Sequence, residues 1–279
     1  MDEEVRQSRE RISRRRALGL GGTVGLGALV AACTRSSSSG DSAPSLSASS
    51  TAPSDVLALL DEANTCVTAR EETQGPYWFD VDSIRSDLRE DRPGTPLLLA
   101  VRAHDLSRCS NGSAPTAIPN SVVEIWHCDA GGVYSGFESA SQGGPGGSGS
   151  GGTSDGSYSA GDAEANPTDD GTYLRGAQVA DRNGVVQFTT IYPGWYRGRT
   201  VHIHLKLHVN RKTVVTTQLY FDDAVNDAVF ATSPYDQHTG RQTRNADDSI
   251  YDASGLVTVR RTASGYLGVI NVGVNVSAG

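Results

Sequence analysis

The chain has 279 residues, with 32 acidic against 24 basic side chains and a formal net charge of −8. That balance argues against nucleic acid as a partner, because phosphate-backbone binders carry a surplus of lysine and arginine, and the strongly basic run, Arg14-Arg15-Arg16, lies near the N-terminus. No internal repeat of fixed period is present, and the chain is long enough for one sizeable core.

Residues 1–33 read as an export signal. Consecutive arginines in Ser13-Arg14-Arg15-Arg16 precede an apolar stretch from Ala17 to Ala32, shorter than the roughly 20 residues a spanning helix needs. Arginines ahead of a weakly hydrophobic core resemble a twin-arginine signal, which carries folded cargo. Val30-Ala31-Ala32-Cys33 resembles a bacterial lipobox, with an ordinary signal-peptidase site near Ala32 as the alternative. The expected location is the outer face of the bacterial cell membrane, held by a lipid on Cys33, or the exterior. Residues 34–55, rich in Ser, Ala, Pro and Thr, read as a flexible tether, and residues 56–279 as the folded domain.

Within that domain a short helix is expected over Asp55 to Ala63, capped by Ser54. Glu71-Glu72-Thr73-Gln74-Gly75-Pro76-Tyr77-Trp78 follows, with Gly-Pro marking a turn. Leu97 to Ala103 and Val122 to Cys128 alternate as strands; if Leu97 to Leu106 and Val122 to His127 pair as a hairpin, Cys109 and Cys128 lie at its opposite ends. Trp126 reads as core and His127 as structural or supporting. Phe137 to Gly171 is a Gly/Ser tract with almost no apolar side chains, read as a flexible insertion. Thr172 to Val179 and Val185 to Ile191 are strands joined by Asp181-Arg182-Asn183-Gly184, a hairpin-turn sequence. The next strand, through Val201 to Leu207, alternates branched apolar with polar residues, so His202 and His204 share a face. Further strands are expected over Val214 to Phe221, Leu256 to Arg260 and Leu267 to Val276, with a short helix near Ala224 to Phe230. Short strands with turn punctuation imply an all-β, antiparallel sandwich with long loops.

With Cys33 lipidated, three cysteines are left, Cys66, Cys109 and Cys128. One disulfide plus one free thiol suits an oxidising compartment, with Cys66 bridged to Cys128 or to Cys109. No CxxC spacing supports a cysteine metal site.

Val122-Val123-Glu124-Ile125-Trp126-His127-Cys128-Asp129-Ala130-Gly131-Gly132-Val133-Tyr134-Ser135-Gly136, the stretch from Leu174 through Pro193-Gly194-Trp195-Tyr196 to His202-Ile203-His204, and Thr217-Gln218-Leu219-Tyr220-Phe221 closely resemble the intradiol ring-cleavage dioxygenases. These motifs occur in the family's order between about Cys66 and Ile250. The resemblance implies a non-haem ferric ion held by Tyr134, Tyr196, His202 and His204. It also implies catalytic roles for Tyr196, as the tyrosine displaced when substrate chelates the metal, for Arg199, which stabilises charge developing on the substrate, and for Gln218 beside it. The Glu71 to Tyr77 segment resembles the family's E-G-P-Y signature, which puts Gly75, Pro76 and Tyr77 beside the substrate pocket, although Gln74 stands where the acid usually stands. The implied substrates are a catechol and O2, and the implied product a cis,cis-muconic acid.

The residue types suit that chemistry. Phenolate is a hard anion that prefers Fe(III) to Fe(II) or zinc, and a ferric charge deprotonates a tyrosine. No motif of the His/His/carboxylate kind used by ferrous oxygenases is present. Two readings of other classes stand beside the enzyme. One is a secreted ferric-iron-binding lipoprotein without turnover; the other is a metal-free sandwich that binds partners or polysaccharide. The resemblance leaves the individual catechol and the oligomeric state open.

Overall fold

A computed structural model describes residues 53–63, 66–109, 113–142 and 150–276. The export signal and Cys33, nearly all of the tether, and residues 143–149 of the Gly/Ser tract lie outside the described residues. Among those described, no helix is long and apolar enough to cross a membrane.

Eleven strands and three α-helices are assigned among the described residues. In chain order they are α1 (Pro53–Glu62), β1 (Pro96–Asp105), β2 (Thr116–Ala117), β3 (Val122–Trp126), α2 (Glu138–Ser141), β4 (Ser150–Thr153), β5 (Ala163–Ala165), β6 (Arg175–Val179), β7 (Val185–Ile191), β8 (His202–Val209), β9 (Lys212–Tyr220), α3 (Asp223–Phe230), β10 (Thr258–Arg261) and β11 (Tyr266–Val274). One sheet runs β10-β11-β1, with β7 and β2 both on the far edge of β1. The other runs β6-β3-β8-β9. The all-β sandwich expected from the strand pattern is the observed fold, with one departure: β1 and β11 pair in parallel.

The core lies between the sheets. From β1 it takes Leu97, Leu99, Val101 and Ala103; from β8, Ile203, Leu205 and Leu207; from β7 and β11, Val186, Phe188, Ile270 and Val272. Each of these side chains except that of Ala103 contributes about 2 kcal/mol on burial. The period of two that sends these residues inward turns His202, His204, Lys206 and His208 to the opposite face of β8. That face is buried too, because the 71–80 segment and the β4–β5 hairpin cover it.

Four local expectations are corrected. The strands β1 and β3 are not a hairpin; they belong to different sheets. The Asp181 to Gly184 turn likewise joins β6 in one sheet to β7 in the other. Its Asp181 carboxylate accepts from the Asn183 and Val185 N–H groups, so the expected turn forms but closes no hairpin. The helix α1 starts at Pro53, inside the expected tether, and buries Val56, Leu59 and Leu60 against the outer side of β1 and β11.

The fourth concerns the Gly/Ser tract, whose residues 150–171 pack onto the domain. Lys206 Nζ, 2% exposed as a residue, lies 2.5 Å from Asp162 Oδ2 and 3.3 Å from the centre of the Trp78 ring. Ser154 and Ser159 both donate to Asp80. These polar anchors, with buried Tyr158 and Ala165, hold a segment whose composition offers few apolar groups. Cys66 is bridged to Cys109, with Cα atoms 5.9 Å apart, and Cys128 is a buried free thiol.

Candidate metal centre

Two turns and one strand bring Tyr134, Tyr196, His202 and His204 together. The first turn follows β3. The Asp129 carboxylate accepts from the N–H groups of Gly131 and Val133, and the chain doubles back to Tyr134, whose own N–H donates to Ser141 Oγ on α2. Gly132 has φ +85°, and a Cβ there would run into the carbonyl oxygen of Trp195. The Gly194 N–H in turn donates to the Asp129 carbonyl at 3.1 Å. The Tyr134 and Tyr196 turns are therefore packed backbone to backbone, which fixes one tyrosine relative to the other.

On β8, the His202 and His204 Nε2 atoms are 3.2 Å apart. The Tyr196 hydroxyl is 3.1 Å and the Tyr134 hydroxyl 3.4 Å from His202 Nε2. All four residues are buried, the most exposed being Tyr196 at 8%. His202 Nδ1 donates to the Thr200 carbonyl at 2.7 Å, so its Nε2 lone pair points into the cluster. His204 stacks flat on Trp126, with centroids 4.9 Å apart and planes 4° apart, and its Nδ1 is buried without a partner.

This donor set fits a single cation. Atoms bound at about 2.0–2.1 Å with tetrahedral or right-angle spacing lie about 2.9–3.4 Å from one another, and the three separations from His202 Nε2 fall in that range. Burial, with Arg199 nearby, pushes the His202 imidazole down to about 3, and burial with the neighbouring His202 holds His204 well below the ordinary histidine value, so both are neutral and able to ligate. Burial pushes both phenols well above the ordinary tyrosine value; a multiply charged cation among them reverses that sign. Among the described residues no group of three or more His, Cys, Asp and Glu side chains could hold a metal ion.

Beside the cluster, Arg199 Nε donates to Asp248 Oδ2 at 2.8 Å and one terminal nitrogen donates to Gln218 Oε1 at 2.5 Å. Gln218 Nε2 donates to the Thr73 carbonyl. Asp248 also accepts from the Thr200 N–H, so one carboxylate fixes both Arg199 and the residue that orients His202. Although burial opposes it, the Ile250 and Thr200 N–H groups and Arg199 hold the Asp248 carboxyl below its usual range.

The 71–78 segment crosses the open side of the cluster. Glu72 accepts from the Tyr220 hydroxyl at 2.6 Å, a Cβ on Gly75 would lie 3.2 Å from His204 Cε1, and the Tyr77 ring is 5.0 Å from that of Tyr134. Pro76 sits between the last two. Trp78 is fully buried under Lys206, as core. His127 is buried and bonded to the Cys128 carbonyl and Thr190 Oγ1, apart from the cluster.

Sequence reading missed four contributors. Asp248 carries no local signal, and Tyr220, although inside the Thr217 to Phe221 motif, gives no sign of its partner, since their partners are 49 and 148 residues away. Trp126 read as core, which it is, but it also braces His204. Arg175 is 2% exposed, donates to the Ser135 carbonyl and hydroxyl, and lies 4.5 Å over the Phe79 ring. It supports Ser135, next to Tyr134; its place in an alternating strand concealed that.

No family model matches the chain, but solved structures do. An intradiol ring-cleavage dioxygenase from Tetranychus urticae is similar at 29% identity with a TM-score of 0.62, over 75% of this chain and 95% of that one. The dioxygenase domain of a dioxygenase carbohydrate-binding protein fusion from the cellulolytic bacterium Streptomyces sp. SirexAA-E is similar at 24% identity with a TM-score of 0.50, over 76% of this chain and 100% of that one. At the second distance the likeness speaks for the fold.

Proposed function

We propose that this enzyme, an oxygenase that shares the fold of the intradiol ring-cleavage dioxygenases, opens the ring of a catechol-type aromatic with O2 at a non-haem ferric ion, giving a cis,cis-muconic acid. The observation that carries the reading is the convergence of two phenols and two neutral imidazoles, with His202 Nε2 3.1–3.4 Å from each of the other three donor atoms, beside a fixed arginine. Tyr134, Tyr196, His202 and His204 would hold the metal. A ferric ion held there would supply Lewis acidity toward a catechol dianion and the redox chemistry with O2.

The chain's own residues supply the rest. Tyr196 lies nearest the exposed Arg197-Gly198 rim and is the tyrosine able to swing away and take a catechol proton on its oxygen. Arg199 is pinned on one side by Asp248 and on another by Gln218, so it faces developing negative charge without reorganising. The Tyr77 ring packs on Tyr134 and the Trp126 ring stacks on His204, so aromatic surface walls the cluster. A pure iron carrier has no use for the Arg199, Gln218 and Asp248 arrangement.

We also propose export, with Cys33 as the lipid-bearing residue that tethers the domain to the cell surface. The arginine run and the Val30 to Cys33 motif support it, and the Cys66–Cys109 bridge fits an oxidising compartment.

The test is a visible spectrum of the purified iron-loaded protein. A tyrosinate-to-iron band that shifts when catechol is added under nitrogen and bleaches in air, with O2 consumed and muconate formed, is the expected result. A band that shifts and then survives air would favour iron binding without turnover. A colourless protein after iron is supplied, or a Tyr134→Phe, His202→Ala double variant that keeps the band, would refute the four-residue assignment.

A further inference from the structure

The side of the cluster nearest solvent carries an acidic wall that the reaction itself does not require. Glu72 is half-buried, and its carboxylate accepts the Tyr220 hydroxyl at 2.6 Å. The Tyr220 hydroxyl is also 3.4 Å from Gln218 Oε1 and from the Ile250 carbonyl, and its ring centre is 6.5 Å from that of His202. Tyr251 closes the other side of Tyr220, with ring centres 5.0 Å apart. Thr73 and Gly75, following Glu72 in the chain, reach Gln218 and His204 respectively. An aromatic ring whose two oxygens faced the cluster would thus direct its far edge along residues 72–75 toward Glu72 and Tyr220.

The charge balance on this wall is one-sided. Arg199 is engaged by Asp248 and Gln218, and the exposed Arg70 is paired with Asp252. Glu72 and Asp248 against Arg199 leave one carboxylate in excess, and Arg70 with Asp252 cancel. No cation of this group is left uncommitted to meet a second negative charge on a ligand, whereas the Glu72 carboxylate keeps acceptor capacity beyond its bond from Tyr220.

We propose that the Glu72–Tyr220 pair reads the substituent on the catechol ring, admitting catechols whose substituent is uncharged and donates a hydrogen bond, such as a further hydroxyl, and rejecting catechols that carry a ring carboxylate. The proposal rests on the ferric catechol reading and names the substrate class within it. Discrimination here is mainly repulsive: a ring carboxylate brought near Glu72 pairs like charges in a partly desolvated place. Burial raises Glu72 from its ordinary value to about 7, opposed by the Tyr220 hydrogen bond, Arg199 and Arg70 and reinforced by Asp252. The rejection therefore strengthens as pH rises through 7.

The experiment is anaerobic titration of the iron-loaded full chain with catechol, 1,2,4-trihydroxybenzene and 3,4-dihydroxybenzoate at pH 6 and pH 8, reading the shift of the visible band as binding rather than turnover. At pH 8 the carboxylated ligand is expected to bind about tenfold more weakly than catechol, with the trihydroxybenzene at least as tight as catechol. That ratio should shrink severalfold at pH 6, and in Glu72→Gln at pH 8. The wild-type ratio at two pH values tests the idea even if the variant does not fold. Equal or tighter binding of the carboxylated ligand by the wild type, or a ratio that neither pH nor Glu72→Gln changes, would overturn it. Failure of all three ligands to bind would overturn the ferric catechol reading, and this proposal with it.

Discussion

Substituting Gly75 by alanine tests whether the 71–78 segment sets the position of His204. Gly75 has φ +71°, so any other residue pays about 1–2 kcal/mol for a left-handed backbone. The added Cβ would also sit 3.2 Å from His204 Cε1, a few tenths of an ångström too close. The imidazole cannot yield freely, because Trp126 stacks on its face at 4.9 Å. Displacement passes instead to Nε2, which must stay within reach of His202 and the tyrosines. For Gly75→Ala we expect a melting temperature lower by about 2–6 °C, together with ferric affinity weakened about tenfold, as when an orienting partner of a metal ligand is disturbed. The assays are thermal denaturation of the metal-free protein and titration of the tyrosinate band with iron. Gly240→Ala is the control: φ is +96° there, but a Cβ would meet nothing within 4 Å, so it pays the backbone cost alone. If the two variants match in ferric affinity, the contact with His204 does not position the ligand and the reasoning fails.

Replacing Arg199 by lysine keeps the charge but cannot serve Asp248 and Gln218 together; kcat/KM for catechol should fall about a hundredfold with iron content unchanged, as measured by O2 uptake and metal analysis. Because burial raises Glu72 from 4.5 to about 7, the native state binds the extra proton between those values. Its contribution to stability is present below about 4.5 and is lost as pH rises through 7. The wild type should therefore lose more thermal stability than Glu72→Gln between pH 5 and pH 8, and parallel curves would refute the assigned burial. Reduction of Cys66–Cys109, which spans 43 residues, should cost about 4 kcal/mol by loop closure and lower the melting temperature by about 10 °C; calorimetry with and without reductant reads both.

The strand periods, the turn residues, and the His202-Ile203-His204 alternation determined the fold class and the face that carries the histidines, because a period of two depends on nothing beyond neighbouring residues. The resemblance of three separated motifs to one enzyme family singled out the tyrosines, which periodicity alone would have left as strand residues with solvated hydroxyls. Strand partners were beyond the sequence. The alternation in β1, β3, β6 and β7 is the same whether a turn closes a hairpin or carries the chain to the opposite sheet. Composition misled at residues 150–171, since Gly and Ser give no apolar signal, yet Asp80, Asp162 and Lys206 anchor the segment by polar contacts. The choice of Cys109 over Cys128 as the partner of Cys66, and of Asp248 as the anchor of Arg199, rests on approaches between distant parts of the chain. Only the tertiary structure decides these, because each depends on which backbone lies against which once the two sheets have closed.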